Sequence, residues 1–433
     1  MSVQISNHGD TLEPHVSPTY NQPVITRNIQ PTLIDLTRAF PVVTVTGPRQ
    51  SGKTTLCRMA LPDKQYVSLE DPDDRRFARD DPRGFLRNLR DGAVLDEVQR
   101  VPELLSYLQG MVDEDPSPGR FVLTGSSNFA LRSDVTQSLA GRTGLLELLP
   151  FDIEERASVA PVEDLWKAIW EGGYPAIHDR GIAADRWLGA YVATYVERDL
   201  RQLLAVGDIA AFQSFVELAA TWTGNLVNLS ALGTGVGVSH NTARSWLSVL
   251  EASYLLHRTT PLSRNLGKRI VRSPKLHFVD TGLCCWLLGI RSSEELRHHP
   301  LRGALMESWV VGEVRKAFVN HGVRPNLHHW RDPHGREVDL VVDRGRDLIA
   351  VEVKAGATLH TSLFDGLKRF SDLARDAVPP PTDGVRAVLV YGGDRRQERT
   401  DGLALPWRQV QTGGWVSEHT IPRDRTFNTA RGS

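Results

Sequence analysis

Three cysteines in 433 residues are too few for a disulfide scaffold. Cys284 and Cys285 are adjacent and Cys57 stands alone, which excludes zinc spacing as well. A reducing cytoplasm is the simplest compartment for such a chain. No run of about 18 apolar residues occurs, nor a basic start followed by an apolar stretch, so neither a membrane span nor a signal peptide is expected. A charge excess of one sign is also lacking. Lys plus Arg (51) nearly cancels Asp plus Glu (52), so any face that attracts nucleic acid must be local. What is present is ordinary globular composition, 40% hydrophobic and 24% charged. The chain is too long for one core, and at about 150 residues per domain its length predicts three domains.

Residues 1–30 carry Pro, Asn, Ser, Gly and His without periodicity and read as a mobile arm. Leu33, Ile34 and Leu36 then open an amphipathic helix, and Val42 to Thr46 form a β-branched run ended by Gly47: a buried strand. Apolar runs recur at Tyr66–Leu69, Ala93–Leu95 and Phe121–Thr124, with helical stretches between them. That alternation predicts a parallel sheet covered on both faces.

The segment Gly47-Pro48-Arg49-Gln50-Ser51-Gly52-Lys53-Thr54 matches G-x-x-x-x-G-K-[ST] between a strand and a helix. The glycines let backbone N–H groups curl around phosphate, and the helix adds its positive end. Lys53 would reach the β- and γ-phosphates of ATP, and the Thr54 hydroxyl would ligate Mg²⁺; Thr55 continues the same turn. Ala93-Val94-Leu95-Asp96-Glu97 ends an apolar strand in two carboxylates, Asp96 for Mg²⁺ and Glu97 to polarise the attacking water. Ser126, after the third strand, is the candidate sensor of the γ-phosphate. Arg142 has two readings: an arginine finger acting across the interface of a homo-oligomer or partner protein, or a helix-end arginine capping carbonyls.

Further on, Leu229–Leu232 and His240–Leu247 predict two helices joined by a glycine-rich turn, with Ser239 capping the second. Asn241, Thr242 and Arg244 are residue types that read DNA. Arg264, Lys268, Arg269, Arg272 and Lys275 crowd the next stretch as a phosphate-contacting wing would. Near the C-terminus, strand period two places Glu352 and Lys354 on one face, and the hairpin brings Asp339 near Glu352. Two carboxylates to hold a divalent metal, beside a lysine that stabilises phosphate charge, form the PD-(D/E)XK nuclease arrangement, here with Glu337-Val338 ahead of Asp339. Glu307, on the preceding helix, would be a fourth participant.

Taken together, Gly47–Thr55, Leu95–Gln99, Leu139–Arg142, Gly172-Gly173-Tyr174-Pro175, Asn241–Leu247 and Phe278–Leu283 resemble a prokaryotic family of AAA-type ATPases fused to a C-terminal region of unknown function. The resemblance implies an α/β multidomain fold: a AAA-type parallel sheet, a winged-helix-like middle and a restriction-endonuclease-like end. The expected division is an arm (1–30), a P-loop domain (31–155), a helical lid or linker (156–228), a winged-helix-like domain (229–295), a nuclease-like domain (296–415) and a tail (416–433). Two functions fit this plan. One is an ATP-dependent enzyme that engages DNA and cuts it at Asp339, Glu352 and Lys354. The other is a nucleotide-gated switch, of defence or toxin–antitoxin type, whose nuclease-like domain binds without cutting.

Overall fold

A computed structural model describes residues 24–126, 138–199, 208–262, 273–332, 334–375 and 381–417. Its first layer system contains α1 (Gln30–Ala39), β1 (Val42–Thr46), α2 (Lys53–Ala60), β2 (Gln65–Ser68), α3 (Pro72–Asp80), α4 (Pro82–Arg87), β3 (Ala93–Asp96), α5 (Leu104–Glu114), β4 (Phe121–Thr124) and β5 (Thr143–Glu147). The strands form one all-parallel sheet in the order β2-β3-β4-β1-β5. β1, β3 and β4 are buried at every position, as a sheet covered on both faces requires. Because β4 lies between β1 and β3, the ends of all three strands meet at one edge.

Helices follow: α6 (Ile153–Ala157), α7 (Leu165–Glu171), α8 (Pro175–His178), α9 (Ala184–Tyr191), which continues as a π-helix over Val192–Asp199, α10 (Ile209–Thr221), α11 (Leu229–Gly235) and α12 (His240–Ala252). Side chains of Asn228 and Ser239 cap α11 and α12, as the sequence predicts for Ser239. The antiparallel strands β6 (Leu256–Pro261) and β7 (Lys275–Phe278) complete a helix–turn–helix–hairpin unit.

β6 also pairs in parallel with β8 (Leu327–Arg331). The hairpin therefore joins β8, β9 (Glu337–Asp343), β10 (Leu348–Lys354), β11 (Val385–Tyr391), β12 (Gln397–Arg399) and β13 (Gly402–Pro406) in one eight-stranded sheet, ordered β12-β13-β11-β10-β9-β8-β6-β7. Between β7 and β8 lie α13 (Thr281–Leu287), α14 (Ser293–His298) and α15 (Arg302–Asn320); α16 (Asp365–Arg375) follows β10. Fourteen of the nineteen residues of α15 are buried, so it is a core helix with neighbours all round. One hydrophobic cluster runs from the middle helices through α15 to Ile349, Val351 and Val353, whereas Leu348 and Ala350 face α16 in a second cluster.

A polar seam locks α15 to the end of the first sheet system. Glu313 accepts from Ile153 N at 2.9 Å, Lys316 donates to Phe151 O at 2.8 Å, and Asn320 donates to Asp152 at 2.9 Å. Residues 24–29 correct part of the expected arm: Ile25, Arg27 and Ile29 are buried. Among the described residues no helix is long and apolar enough to cross a membrane.

Candidate functional site

Gly47 has φ 146° and Gly52 φ 92°, and a Cβ on Gly47 would sit 2.1 Å from the carbonyl oxygen of Leu148. Only glycine fits that approach of β1's end to the next segment. Between the two glycines the chain turns tightly, Gln50 taking φ 65°, and α2 begins at Lys53 with Gly52 at its N-cap. The positive end of the α2 dipole therefore opens directly onto the loop. The Lys53 ammonium is buried and donates to Gly47 O (3.1 Å) and Pro48 O (2.8 Å). Burial lowers it to about 8, against the opposing charges of Glu97 and Asp96. Beside it, the buried Ser51 hydroxyl has no hydrogen-bond partner among the described residues. An anion bound in the loop would answer both.

Asp96, at the end of β3, accepts from the Thr54 hydroxyl at 2.8 Å and from the Tyr66 hydroxyl at 2.5 Å, and also bonds Thr124 at the end of β4. The hydroxyl–carboxylate pair Thr54–Asp96 is an all-oxygen donor set beside the phosphate loop, and it fits Mg²⁺. Glu97 takes φ 57°, its backbone N–H donating to Thr124 Oγ1 at 3.4 Å. Its carboxylate receives the Gln99 amide and the Ser126 hydroxyl, the latter at 3.3 Å. Burial raises its pKa, against the pull of Lys53.

The structure thus gathers Lys53, Thr54, Asp96, Glu97 and Ser126 at one sheet edge. Arg142 lies at the other: its carbonyl accepts from the N–H of Val42, which begins β1, and its guanidinium holds Asp113 at 2.5 and 3.0 Å. Within this chain it does not join the loop. Tyr66, Thr124 and Gln99, which escaped the sequence reading, complete the shell around the two carboxylates. Arg27 escaped it too. Its guanidinium donates to Ser51 O (2.8 Å), Leu149 O (2.6 Å) and Glu155 (3.0 Å), and so braces the loop from behind. The only sequence signal for Arg27 is an arginine between Ile25 and Ile29, whose alternation marks a packed segment.

On α12, Asn241 and Arg244 are exposed, while the Thr242 hydroxyl is 2.9 Å from the capping Ser239. Lys268 and Arg269, like Arg264 and Arg272, lie outside the described residues. Lys275 is corrected. It is no wing residue but starts β7 with 2% exposure, its ammonium 2.8 Å from Glu307, 3.9 Å from Glu337 and 4.0 Å from Asp339. A lysine drawn into a sheet interior is stable only when paired, and three carboxylates on α15 and β9 supply the partners.

The β9–β10 register pairs Leu340 with Val351 and leads Asp339 towards Glu352, as the hairpin predicted. Asp339 accepts from Val353 N at 2.8 Å, and Glu352 is paired with Lys354 at 2.5 Å. Burial, reinforced by Asp339, raises both Glu307, to about 8, and Glu352. Among the described residues no three His, Cys, Asp or Glu side chains are grouped to hold a metal ion. Lys275 stands among Glu307, Glu337 and Asp339, and Lys354 pairs with Glu352.

Comparison with known proteins adds three family matches. An AAA domain covers residues 39–157, a domain of unknown function (DUF8612) covers 162–294, and a second one (DUF4143) covers 302–410. Uncharacterized proteins of Mycobacterium tuberculosis and Mycobacterium bovis are each 33% identical over 387 residues, spanning 87% of this chain and 82% of theirs. Among solved structures, a Walker-type ATPase of Pyrococcus abyssi aligns at TM-score 0.43 and 16% identity, over 60% of this chain and 94% of its own. Domain III of the replication initiation protein DnaA of Thermotoga maritima aligns at TM-score 0.25 and 17% identity, over 52% and 98%.

Proposed function

The chain belongs to the family of the two mycobacterial proteins, and its own AAA domain leads two domains of unknown function; from that premise we propose that it binds and hydrolyses ATP and uses the cycle to control how its middle unit engages DNA. The convergence of Lys53, Thr54, Asp96 and Glu97 at one sheet edge carries this reading. In the free protein the Lys53 ammonium bonds the loop's own carbonyls; on binding it turns to the β- and γ-phosphates, which the loop N–H groups surround. Mg²⁺ held by Thr54 and Asp96 would neutralise phosphate charge. Glu97, fixed by Gln99 and Ser126, accepts the proton of the attacking water, and the rise in its pKa on burial makes it a stronger base for that task. Ser126 is placed to register whether the γ-phosphate is present.

The link to the middle unit is direct. Tyr254, just past α12 with φ 58°, donates its hydroxyl to Thr46 Oγ1 at 2.7 Å, and Thr46 immediately precedes Gly47. A shift of the phosphate loop therefore acts on the helix that presents Asn241 and Arg244. Of the two roles open to the nuclease-like end, binding without cutting is favoured by the Lys275 ammonium seated among its carboxylates. Glu97→Gln tests the assignment: ATP should still bind, because loop and lysine survive, while turnover falls by about a hundredfold or more as the water loses its base. Wild-type turnover by Glu97→Gln would remove Glu97 from this role.

A further inference from the structure

We propose that Lys275 is a built-in cation that takes the place of a divalent metal in the nuclease-like carboxylate cluster, so that its removal opens a metal site the wild-type protein lacks. The inference rests on the nuclease-like reading of the β9–β10 hairpin. Three observations carry it. The Lys275 ammonium is a positive charge shared by carboxylates from two elements, Glu307 of α15 and Glu337 and Asp339 of β9, at 2.8, 3.9 and 4.0 Å, with Arg331 also against Glu337 at 3.6 Å. Its side chain is 97% buried, so it is a fixed part of the site and no passing surface contact. It is delivered by β7, a strand of the helix–turn–helix–hairpin unit that joins the C-terminal sheet through the β6–β8 pairing.

Charge balance explains the design. Glu307, Asp339 and Glu352 in one partly dry cleft repel one another and need a cation. A divalent ion would serve, but it would leave whenever free metal fell, and it would bring hydrolytic chemistry with it. An ammonium tethered to the neighbouring strand supplies positive charge permanently and carries no bound water to activate. The same contact ties the β6–β7 hairpin of the middle unit to the C-terminal sheet, so one lysine silences the site and couples the two parts. Lys354 plays the lesser part, neutralising Glu352 at the cluster's rim, where the other Glu352 oxygen is buried with no partner among the described residues.

The test is Mn²⁺ binding to full-length, nucleotide-free protein, read by the electron paramagnetic resonance of free Mn²⁺. All proteins carry Asp96→Asn, which keeps the P-loop from contributing. The parent should show no Mn²⁺ site that Asp339→Asn removes. Lys275→Ala should gain one site at least about tenfold tighter than any parental binding, and adding Asp339→Asn should abolish it. A parental site lost on Asp339→Asn overturns the proposal, and this arm stands even if Lys275→Ala fails to fold. A folded Lys275→Ala protein that gains no Mn²⁺ site overturns it as well. DNA cleavage is scored separately on otherwise wild-type protein. Metal-dependent cutting abolished by Asp339→Asn would defeat the binding-only reading itself, whereas a silent wild type with no gain in Lys275→Ala defeats the built-in cation alone.

Discussion

Replacing Asp280 by alanine should loosen the joint between the middle helices and the C-terminal core. The carboxylate is buried, accepts the N–H of Gly173 at 2.7 Å and of Leu283 at 3.0 Å, and caps α13. Gly172, at φ 67°, passes so close that a Cβ there would lie 2.2 Å from the Asp280 carboxylate. On the other side, Thr281 donates to Ile169 O at 2.8 Å. Removing the carboxylate strands two buried N–H groups at about 1–3 kcal/mol each, for a loss of about 2–6 kcal/mol. At about 2–4 °C per kcal/mol for a cooperative unit of about 200 residues, the melting temperature should fall by about 4–24 °C. Asp280→Asn keeps one acceptor oxygen and should lose about half as much. Gly172→Ala should be similarly harmful, and the pair should cost less than the sum because both break one contact. Scanning calorimetry decides: an Asp280→Ala protein melting within about 2 °C of wild type would refute the reasoning.

Acid should destabilise the sheet junction. His257, His277 and His329 are buried between β6, β7 and β8, and burial lowers all three, His277 to about 3 and His329 to about 4. Their folded pKa values lie below the unfolded value of about 6.5, so the unfolded chain binds more protons in that window. Their contribution is complete above about pH 6.5 and is lost as the pH falls towards 4, by up to about 1.4 kcal/mol per pH unit for each histidine. A urea midpoint unchanged between pH 7 and pH 5 contradicts this. For DNA, neutralising Arg244 should weaken binding and reduce the salt slope by about one unit. If the wild type has no DNA affinity at low salt, α12 is not a DNA-reading helix.

Local signals were legible and long-range ones were not. The phosphate loop, β1, β3 and β4 could be read because fully buried strands are continuous apolar runs and the loop motif spans eight residues. Asp96 and Glu97 followed from their place at a strand end, and the hairpin that brings Asp339 towards Glu352 followed from strand period. β5 was missed because Thr143-Gly144-Leu145-Leu146-Glu147 is an edge strand with Leu145 exposed, too short and mixed to stand out. Lys275 was misread for a better reason. In the chain it closes a run of basic residues, and only the pairing of β6 with β8 carries it into a cleft lined by Glu307 and Asp339. Its neighbours Leu276 and Phe278, both buried, were the available sign that this lysine leads into an interior strand. The motifs Gly172-Gly173 and Asp280-Thr281-Gly282 carried family resemblance but no meaning until folding pressed them together: a Cβ on Gly282 would lie 2.7 Å from the Glu171 backbone.

Nucleotide control depends on the phosphate loop holding ATP through Lys53. Equilibrium binding of ATP with Mg²⁺ to wild type and Lys53→Ala, by titration calorimetry on full-length protein, tests this most directly. The wild type should bind one nucleotide per chain, and Lys53→Ala should lose about a hundredfold or more in affinity while melting as the wild type does. Equal affinity in the two proteins, or no binding by the wild type, would contradict the account.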